Sequence, residues 1–527
     1  GSCSLRFNET LKTRKPENPK YFCPRMKNTT WRTWLIFTIF CAILYFPLFH
    51  HLTWEPIHNW DESLFAMRAG YMAEEGKYLP DYSHWVEGGP LHRSTKPPFT
   101  TWIQALFIKI LGHGELSLRL PVALAALATV ALFVFIGRKH LNCTGAGICA
   151  GFVLVTSAGF IRDHAARTGD QDVPLAFYML AGAYAFYRYL EAEDLRQRRV
   201  WLSLLTVSLI ASALTKYVFG LFFLPAFFFY AIYKKQLGRV LARGSTWVAA
   251  LVFLAAVFGW LAIMEWRLPG FFERAIFYEM FDRYTTVIEH HKAPWGYFFV
   301  NFWEGWFMPW LLLLPIPVAM ILLKEYRPVR DVLVLMALCA ASLLLIVSFS
   351  QTKTTHYEVV AYPPLALLAG VGLYRIWAAL LQLWRAKKHL PVAILAAAFC
   401  TWTFLILPYW KIINTTYMPL LTNDQEEYGY LFRRLEKRPD LQKFTLIHTG
   451  FDGQAIYYAG LFNRKKGFDI QLISHTDQVQ VGQTVMACDG KIIKALFEQF
   501  ELQGLETYEQ CFVAQVKAKK VGMRSEE

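Results

Sequence analysis

Apolar runs of about 17–22 residues recur along the 527-residue chain, most of them bounded by Lys or Arg. A run of that length matches the hydrocarbon thickness of a bilayer. Only a helix satisfies its own backbone there, short of a closed barrel. Eleven spans are expected, at 33–52, 120–136, 146–161, 173–189, 200–214, 218–233, 246–264, 298–323, 332–349, 356–377 and 391–408. Interfacial helices, 98–111 among them, bring the range to 11–13. A net charge of +14 would point a soluble chain toward nucleic acid. Here it is accounted for by basic loops on one side of a membrane, so lipid and not nucleic acid is the expected partner.

Those loops orient the chain. Arg138-Lys139, Arg196/Arg198/Arg199, Lys234-Lys235, Lys324/Arg327/Arg330 and Arg385/Lys387/Lys388 share one side if the spans alternate, and that side is the cytoplasm. The N-terminus is then cytoplasmic, and residues 1–30 read as a basic tail or added sequence. Gly1-Ser2 reads as added, and Met26, just before the first span, as a candidate start. Residues 31–410 form the membrane domain, with exoplasmic loops at 53–98 and 265–295. From 411 to 527 the composition turns polar and reads as a small exoplasmic α/β domain. Strands are expected at 443–447, 470–473, 484–487 and 512–516, with a helix at 492–501. Cys488 and Cys511 lie beside expected strands, as a disulfide or as two thiols.

The loop 53–98 is longer than a connection needs, and long loops on rigid scaffolds carry chemistry. Within it, 64–72 reads as a short amphipathic helix lying along the membrane. Asp61-Glu62 opens the loop among Trp54, Trp60 and Phe65. Partial desolvation there would raise a carboxylate's proton affinity and suit it to general-base work. The alternative is a helix N-cap. Lys96-Pro97-Pro98 fixes a cation on stiff, extended backbone, suited to a lipid phosphate or to snorkelling.

Other exoplasmic segments carry weaker signals. Asp170 and Asp172 lie at a span end, as functional carboxylates, as a helix cap beside Pro174, or as metal ligands with His164. Lys216 sits in a tight turn. Glu279, Arg283 and His291 lie in the loop 265–295, and Lys353, His356 and Tyr357 in a late connection. The positive-inside rule does not predict the exoplasmic cations Arg93, Lys96, Arg162, Arg167, Lys216, Arg267, Arg274, Arg283 and Lys353, and an anionic ligand would account for them.

The ordered set Asp61-Glu62, Lys96-Pro97-Pro98 with Trp102, Arg119-Leu120-Pro121, Asp172-Val173-Pro174, Lys216, Glu279/Arg283/His291 and Lys353…His356-Tyr357…Pro363-Pro364 resembles the GT-C glycosyltransferases that use polyprenyl-phosphate sugars. Within them the nearest branch is that of aminoarabinose transferase and the protein O-mannosyltransferases. The resemblance implies a bacterial inner-membrane enzyme with its C-terminal domain in the periplasm. It implies a sugar donor on undecaprenyl phosphate or a similar lipid phosphate, and a lipid, glycan or protein acceptor. Asp61, with Glu62, would be catalytic, and transfer would invert the anomeric carbon. Lys96, Arg283, Lys216 and Arg93 would meet the donor phosphate. Leu64 stands where an arginine is usual, leaving Arg93, Arg119 or Arg283 to take its part. Thr95 and Met280 stand where metal ligands are usual, so a divalent metal is not expected to be obligatory. These departures point away from lipid A and aminoarabinose. Two alternatives compete with the enzyme, a polyprenyl-linked sugar flippase and a non-catalytic lipid-glycan binding subunit. Transport would require broken helices and ionisable groups deep in the bilayer.

Overall fold

The computed structural model describes the backbone of residues 30–79, 95–162, 164–287, 291–386, 390–417, 427–448, 452–508 and 511–520. Arg93 and nearly all of the 1–30 tail lie outside these residues. Six described helices are each long and apolar enough to cross a membrane: Glu115–Lys139, Leu195–Leu221, Gly244–Arg267, Val329–Phe349, Thr355–Ala386 and Leu390–Asn414. A further pair, Tyr297–Trp306 and Trp310–Leu322, is bent by 104° and forms a broken span or a re-entrant loop. Pro309, which has no N–H to donate, lies in the break. Trp34–Leu48, Thr144–Val155 and Leu224–Tyr233 are apolar but shorter. With Asp172–Glu191, a helix lies at each of the eleven expected positions.

The shortness of Thr144–Val155 has a local cause. Thr156 Oγ1 donates to the carbonyl of Phe152 (2.6 Å) and Ser157 Oγ to that of Val153 (2.6 Å), competing with the helical ladder where it stops. A Cβ on Gly370 would lie 2.4 Å from the Ala150 backbone, so Tyr362–Ala386 and this helix meet through a residue without a side chain. Outward faces are apolar: Trp247, Val248 and Leu251 on one helix and Leu395, Phe399 and Trp402 on another are exposed. Cys41 is also exposed, while Cys143 and Cys339 are buried.

The helix Phe99–Leu111 inverts the soluble pattern. It exposes Leu106, Ile110 and Leu111 and buries Thr100, Thr101 and Gln104. Gln104 Nε2 donates to the carbonyls of Gly169 (2.7 Å) and Leu118 (3.2 Å), which sets the polar stripe inward. The expected surface helix at 64–72 is instead a longer one, Asp61–Glu75, with ten of its fifteen residues buried. Its apolar side shares one core with the C-terminal domain, Ala66, Met67, Tyr71 and Met72 packing with Phe432, Tyr457, Tyr458 and Phe462. That side of the helix is therefore covered by protein and not by lipid.

The C-terminal domain is a five-stranded mixed sheet in the order β2-β1-β3-β5-β4: β1 is Lys443–Ile447, β2 Asp469–Ile473, β3 Thr484–Ala487, β4 Phe500–Tyr508 and β5 Cys511–Lys519. Strands β1–β3 run parallel, while β3, β5 and β4 pair antiparallel. Helix Gly453–Lys465 joins β1 to β2, and helix Gly490–Gln499 joins β3 to β4. The antiparallel register sets Ala487 opposite Phe512, and the next residues, Cys488 and Cys511, form a disulfide.

Candidate active site

At the end of the helical bundle that carries the C-terminal domain, one cleft gathers residues from six segments of the chain. Asp61, Phe65, Lys96, Asp170, Asp172, Lys216, Glu279, Arg283, His356 and Tyr357 all line it. Asp61 is the first residue of its helix, and Trp60, before it, takes φ 66° and ψ −117°. Left-handed backbone at a bulky residue costs about 1–3 kcal/mol and persists only where its surroundings impose it. The N-cap alternative for Asp61 does not hold: Trp60 occupies that position, without a side-chain cap.

Lys96 and Arg283 share one carboxylate. Glu279 Oε2 lies 3.2 Å from Lys96 Nζ and 3.4 Å from Arg283 Nε, while Thr95 Oγ1 donates to Glu279 Oε1 (3.0 Å). Lys216 Nζ, at the end of the helix Leu195–Lys216, donates to Asp172 Oδ1 at 2.6 Å and lies over the rings of Phe219 and Tyr357. Asp172 thus pairs with a lysine and does not cap its helix, whose N-cap Gln171 also makes no side-chain cap bond. His164 Nδ1 is 3.3 Å from Asp170 Oδ1, and the His164 ring lies 5.0 Å from that of His356.

These charges tune one another. Burial pushes the Asp61 carboxyl up, but Lys96, His164, Lys216 and Arg283 together outweigh it and hold the group below its ordinary value. The sequence led us to expect a raised proton affinity; the surrounding cations reverse the sign. Burial pushes His164 down, and Asp170, Asp61 and Asp172 more than reverse this, raising it to about 10. Glu279 is held low against its burial by Lys96 and Arg283. Counting Lys96, Lys216, Arg283 and protonated His164 against Asp61, Asp170, Asp172 and Glu279 gives four cations and four carboxylates. An entering anion must therefore take its cations from carboxylates already holding them.

Glu62 is not brought to the cleft. It is 1% exposed and forms a closed knot behind Asp61. Arg119 Nε and Nη2 donate to its two oxygens at 2.7 and 2.8 Å, and the backbone N–H groups of Gly169 (2.6 Å) and His58 (2.8 Å) supply further donors. The rest of the Arg119 guanidinium donates to the carbonyls of Leu52, Glu55 and Pro56. Arg119 is thereby excluded as the replacement arginine in the cleft. Arg167 is likewise spent, on the carbonyls of Pro47, His50 and His51. Buried Lys353 donates to the Ser350 carbonyl and does not line the cleft, nor does His291, whose carbonyl accepts from the Lys353 N–H (3.0 Å).

Asp61, His164 and Asp170 offer three ligand atoms within 4.8 Å of one another. Two carboxylates and an imidazole suit a divalent cation. Such an ion would sit among three cations of the chain, Lys96, Lys216 and Arg283. The sequence reading missed other site features. Tyr217 Oη donates to the Thr95 carbonyl (2.6 Å), a contact between positions 122 residues apart that nothing local announces. Thr95, read as a lost ligand, orients Glu279. Deeper in the bundle, fully buried Glu358 accepts from Tyr362 Oη (2.7 Å) and Asn301 Nδ2 (3.3 Å). Its place inside an expected span hid it.

A sequence profile of the dolichyl-phosphate-mannose-protein mannosyltransferases matches residues 95–263. By sequence, the chain matches no curated protein. Among solved structures it is similar to ArnT from Cupriavidus metallidurans bound to undecaprenyl phosphate, at 16% identity and a TM-score of 0.66 over 92% of this chain and 98% of that one. It is also similar to the archaeal oligosaccharyltransferase AglB from Archaeoglobus fulgidus in complex with an inhibitory peptide and a dolichol-phosphate, at 12% identity and a TM-score of 0.52 over 91% of this chain and 74% of that one. The chain has the fold of the GT-C glycosyltransferases, a multi-pass helical membrane domain with a small C-terminal sheet domain.

Proposed function

We propose that this protein transfers a hexose or pentose from undecaprenyl phosphate, or a similar polyprenyl phosphate, to an acceptor on a lipid, glycan or protein. The acceptor group is a hydroxyl or a phosphate. The observation that carries the reading is the convergence of Asp61 with Lys96, Lys216 and Arg283 in one cleft of a GT-C fold. Two structures of that fold hold undecaprenyl phosphate and a dolichol-phosphate, which supports a lipid-phosphate donor here. The reaction takes place at the exoplasmic face, the periplasmic side of a bacterial inner membrane, with the N-terminus in the cytoplasm. The basic loops of the opposite side and the Cys488–Cys511 disulfide beside the cleft's end of the bundle support that orientation.

In this mechanism Asp61 accepts the proton of the acceptor hydroxyl as its oxygen attacks the anomeric carbon. The bond from that carbon to the phosphate oxygen breaks, and the phosphate leaves with the electron pair. A single displacement inverts the centre. Charge grows on the leaving phosphate, and Lys96, Arg283 and Lys216 are placed to take it. Arg283 matches phosphate with a planar fork, the lysines as point charges. Lys96 and Arg283 become available as they turn from Glu279 toward the phosphate. His356 and Tyr357 flank this position. Glu62, locked by Arg119, fixes the turn that presents Asp61 and does not enter the chemistry.

No metal is needed for these steps. A divalent ion held by Asp61, His164 and Asp170 would supply Lewis acidity, but the same carboxylates are already neutralised by cations of the chain. The flippase reading gains two observations, the broken helix pair and buried Glu358. Glu358 is satisfied by Tyr362 and Asn301 and does not line the cleft. Mass spectrometry of envelope lipids and glycans, from cells with and without the gene and with Asp61→Asn, tests the proposal. The expected result is an accumulated polyprenyl-phosphate sugar, with one glycan lacking a single sugar in both mutants. Unchanged glycans in the Asp61→Asn strain would refute it, and a lipid-linked sugar stranded on the cytoplasmic face would favour transport.

A further inference from the structure

The turn that aims Asp61 is gripped from two sides. From the membrane domain, Arg119 binds the carbonyls of Leu52, Glu55 and Pro56 and the Glu62 carboxylate. From the C-terminal domain, some 400 residues away in sequence, the start of the helix Gly453–Lys465 takes hold of the next residues. The N–H groups of Gly453 (2.8 Å) and Gln454 (3.3 Å) donate to Asn59 Oδ1. Gln454 Nε2 donates to the Ile57 carbonyl (2.5 Å), and Tyr458 Oη accepts from the Ile57 N–H (3.0 Å). Gln454 is fully buried, and its remaining oxygen accepts from the Gly429 N–H at 3.0 Å. Gly429 itself is pressed to the turn, since a Cβ there would lie 2.2 Å from Pro56 Cβ.

Both sides of residue 60 are therefore fixed. Asn59 is tied upward to the C-terminal domain, and Glu62 downward to Arg119 and Gly169. Between them Trp60 holds φ 66°, a conformation its side chain does not favour. A free turn would relax, and rotation at Trp60 would swing Asp61, the next residue, out of its line to the cleft.

We propose that the C-terminal domain, through Gln454 and the Asn59 bonds, is a positioning element for Asp61. The proposal rests on Asp61 being the base. The domain's α/β sheet is then the mount for the helix Gly453–Lys465. A displacement near 1 Å at a reacting group costs on the order of 100-fold in rate. Losing one tie of several should cost about ten-fold or more.

The test uses the full chain, purified in lipid nanodiscs and also expressed in cells deleted for the gene. Binding is read by titration with undecaprenyl phosphate, and transfer by the ratio of product glycan to accumulated lipid-linked sugar. Gln454→Met keeps volume but loses both amide bonds. Asn59→Ala loses the acceptor, while Asn59→Asp keeps an oxygen for the Gly453 and Gln454 N–H groups. We expect Gln454→Met and Asn59→Ala to lower transfer about ten-fold or more, with undecaprenyl phosphate binding within about two-fold. Asn59→Asp should restore transfer. Should Gln454→Met not fold, the two Asn59 variants decide by themselves. Equal transfer in Asn59→Asp and Asn59→Ala, or a fall matched by weaker binding, overturns the inference. Asp61→Asn separates the two levels: an inactive Asp61→Asn beside a fully active Gln454→Met sinks the positioning role alone, and an active Asp61→Asn sinks the base assignment with it.

Discussion

Two neighbouring carboxylates, Asp61 and Glu62, head the same helix and lead opposite lives. Glu62 faces a buried knot in which Arg119 and two backbone N–H groups satisfy both its oxygens. Asp61 faces a cleft and is half-buried among cations that each have another carboxylate to hold. The knot is closed and does structural work. The cleft is open and its pairings are exchangeable. Residue type and sequence adjacency do not separate these roles; completeness of bonding and access to the cleft do.

The largest effects should fall on opposite properties in the two regions. Asp61→Asn is expected to lower transfer by about 10²–10⁴-fold with little change in melting temperature. Arg119→Met should do the reverse first, stripping the buried Glu62 of its partner at a cost of about 3–5 kcal/mol in stability. Thermal unfolding beside transfer assays checks both, and a stable Arg119→Met would break the comparison. Lys96→Met should reduce transfer about 10²–10³-fold and weaken undecaprenyl phosphate binding, measured by titration.

Smaller effects sharpen it. Glu279→Gln removes the carboxylate that competes for Lys96 and Arg283, so undecaprenyl phosphate should bind more tightly, by up to about ten-fold. Weaker binding would show that Glu279 aligns these cations for phosphate and does not compete with it. The two regions also differ in pH response. Glu62 is depressed from 4.5 to about 2, so its contribution to stability is complete above pH 4.5 and is lost as pH falls through about 2. His164 is raised from 6.5 to about 10, so its contribution is complete below pH 6.5 and is lost as pH rises through about 10. Asp61, held below its ordinary 3.8, should stay ionised as base down to at least that pH. Transfer should therefore show no acid limb near pH 6; finding one would mean that the base is another group. Chelation should have the smallest effect of all, leaving transfer unchanged after EDTA treatment of the purified protein.

Much of this was legible in the sequence because membrane helices declare themselves by length. The eleven positions follow from run lengths alone, and strands β1 and β3 fall at their expected residues. Asp61, Lys96, Lys216, Glu279, Arg283, His356 and Tyr357 do meet in one cleft. What the chain could not announce was partnership across distance. Glu62 reads as Asp61's twin until Arg119 is found behind it. Arg167 and Lys353 read as ligand-binding cations until carbonyls are found on them. The helices Glu427–Leu435 and Gly453–Lys465 and the strand β4 escaped a pattern search in a domain whose apolar face is partly supplied by another.

The even balance of charge in the cleft bears on how substrates arrive. Four positive and four negative groups in close quarters cast little field beyond their own dimensions, and salt shortens that reach further. Such a site does not draw anions from the aqueous phase. The donor proposed above, a phosphate on a polyprenyl tail, has no need of such capture, because it diffuses in two dimensions within the bilayer. Soluble phosphates on the same side meet a surface with almost no pull. With the donor proposed above, the pairing of charges inside the resting site would act as a filter by dimension, favouring what travels in the bilayer over what travels in water.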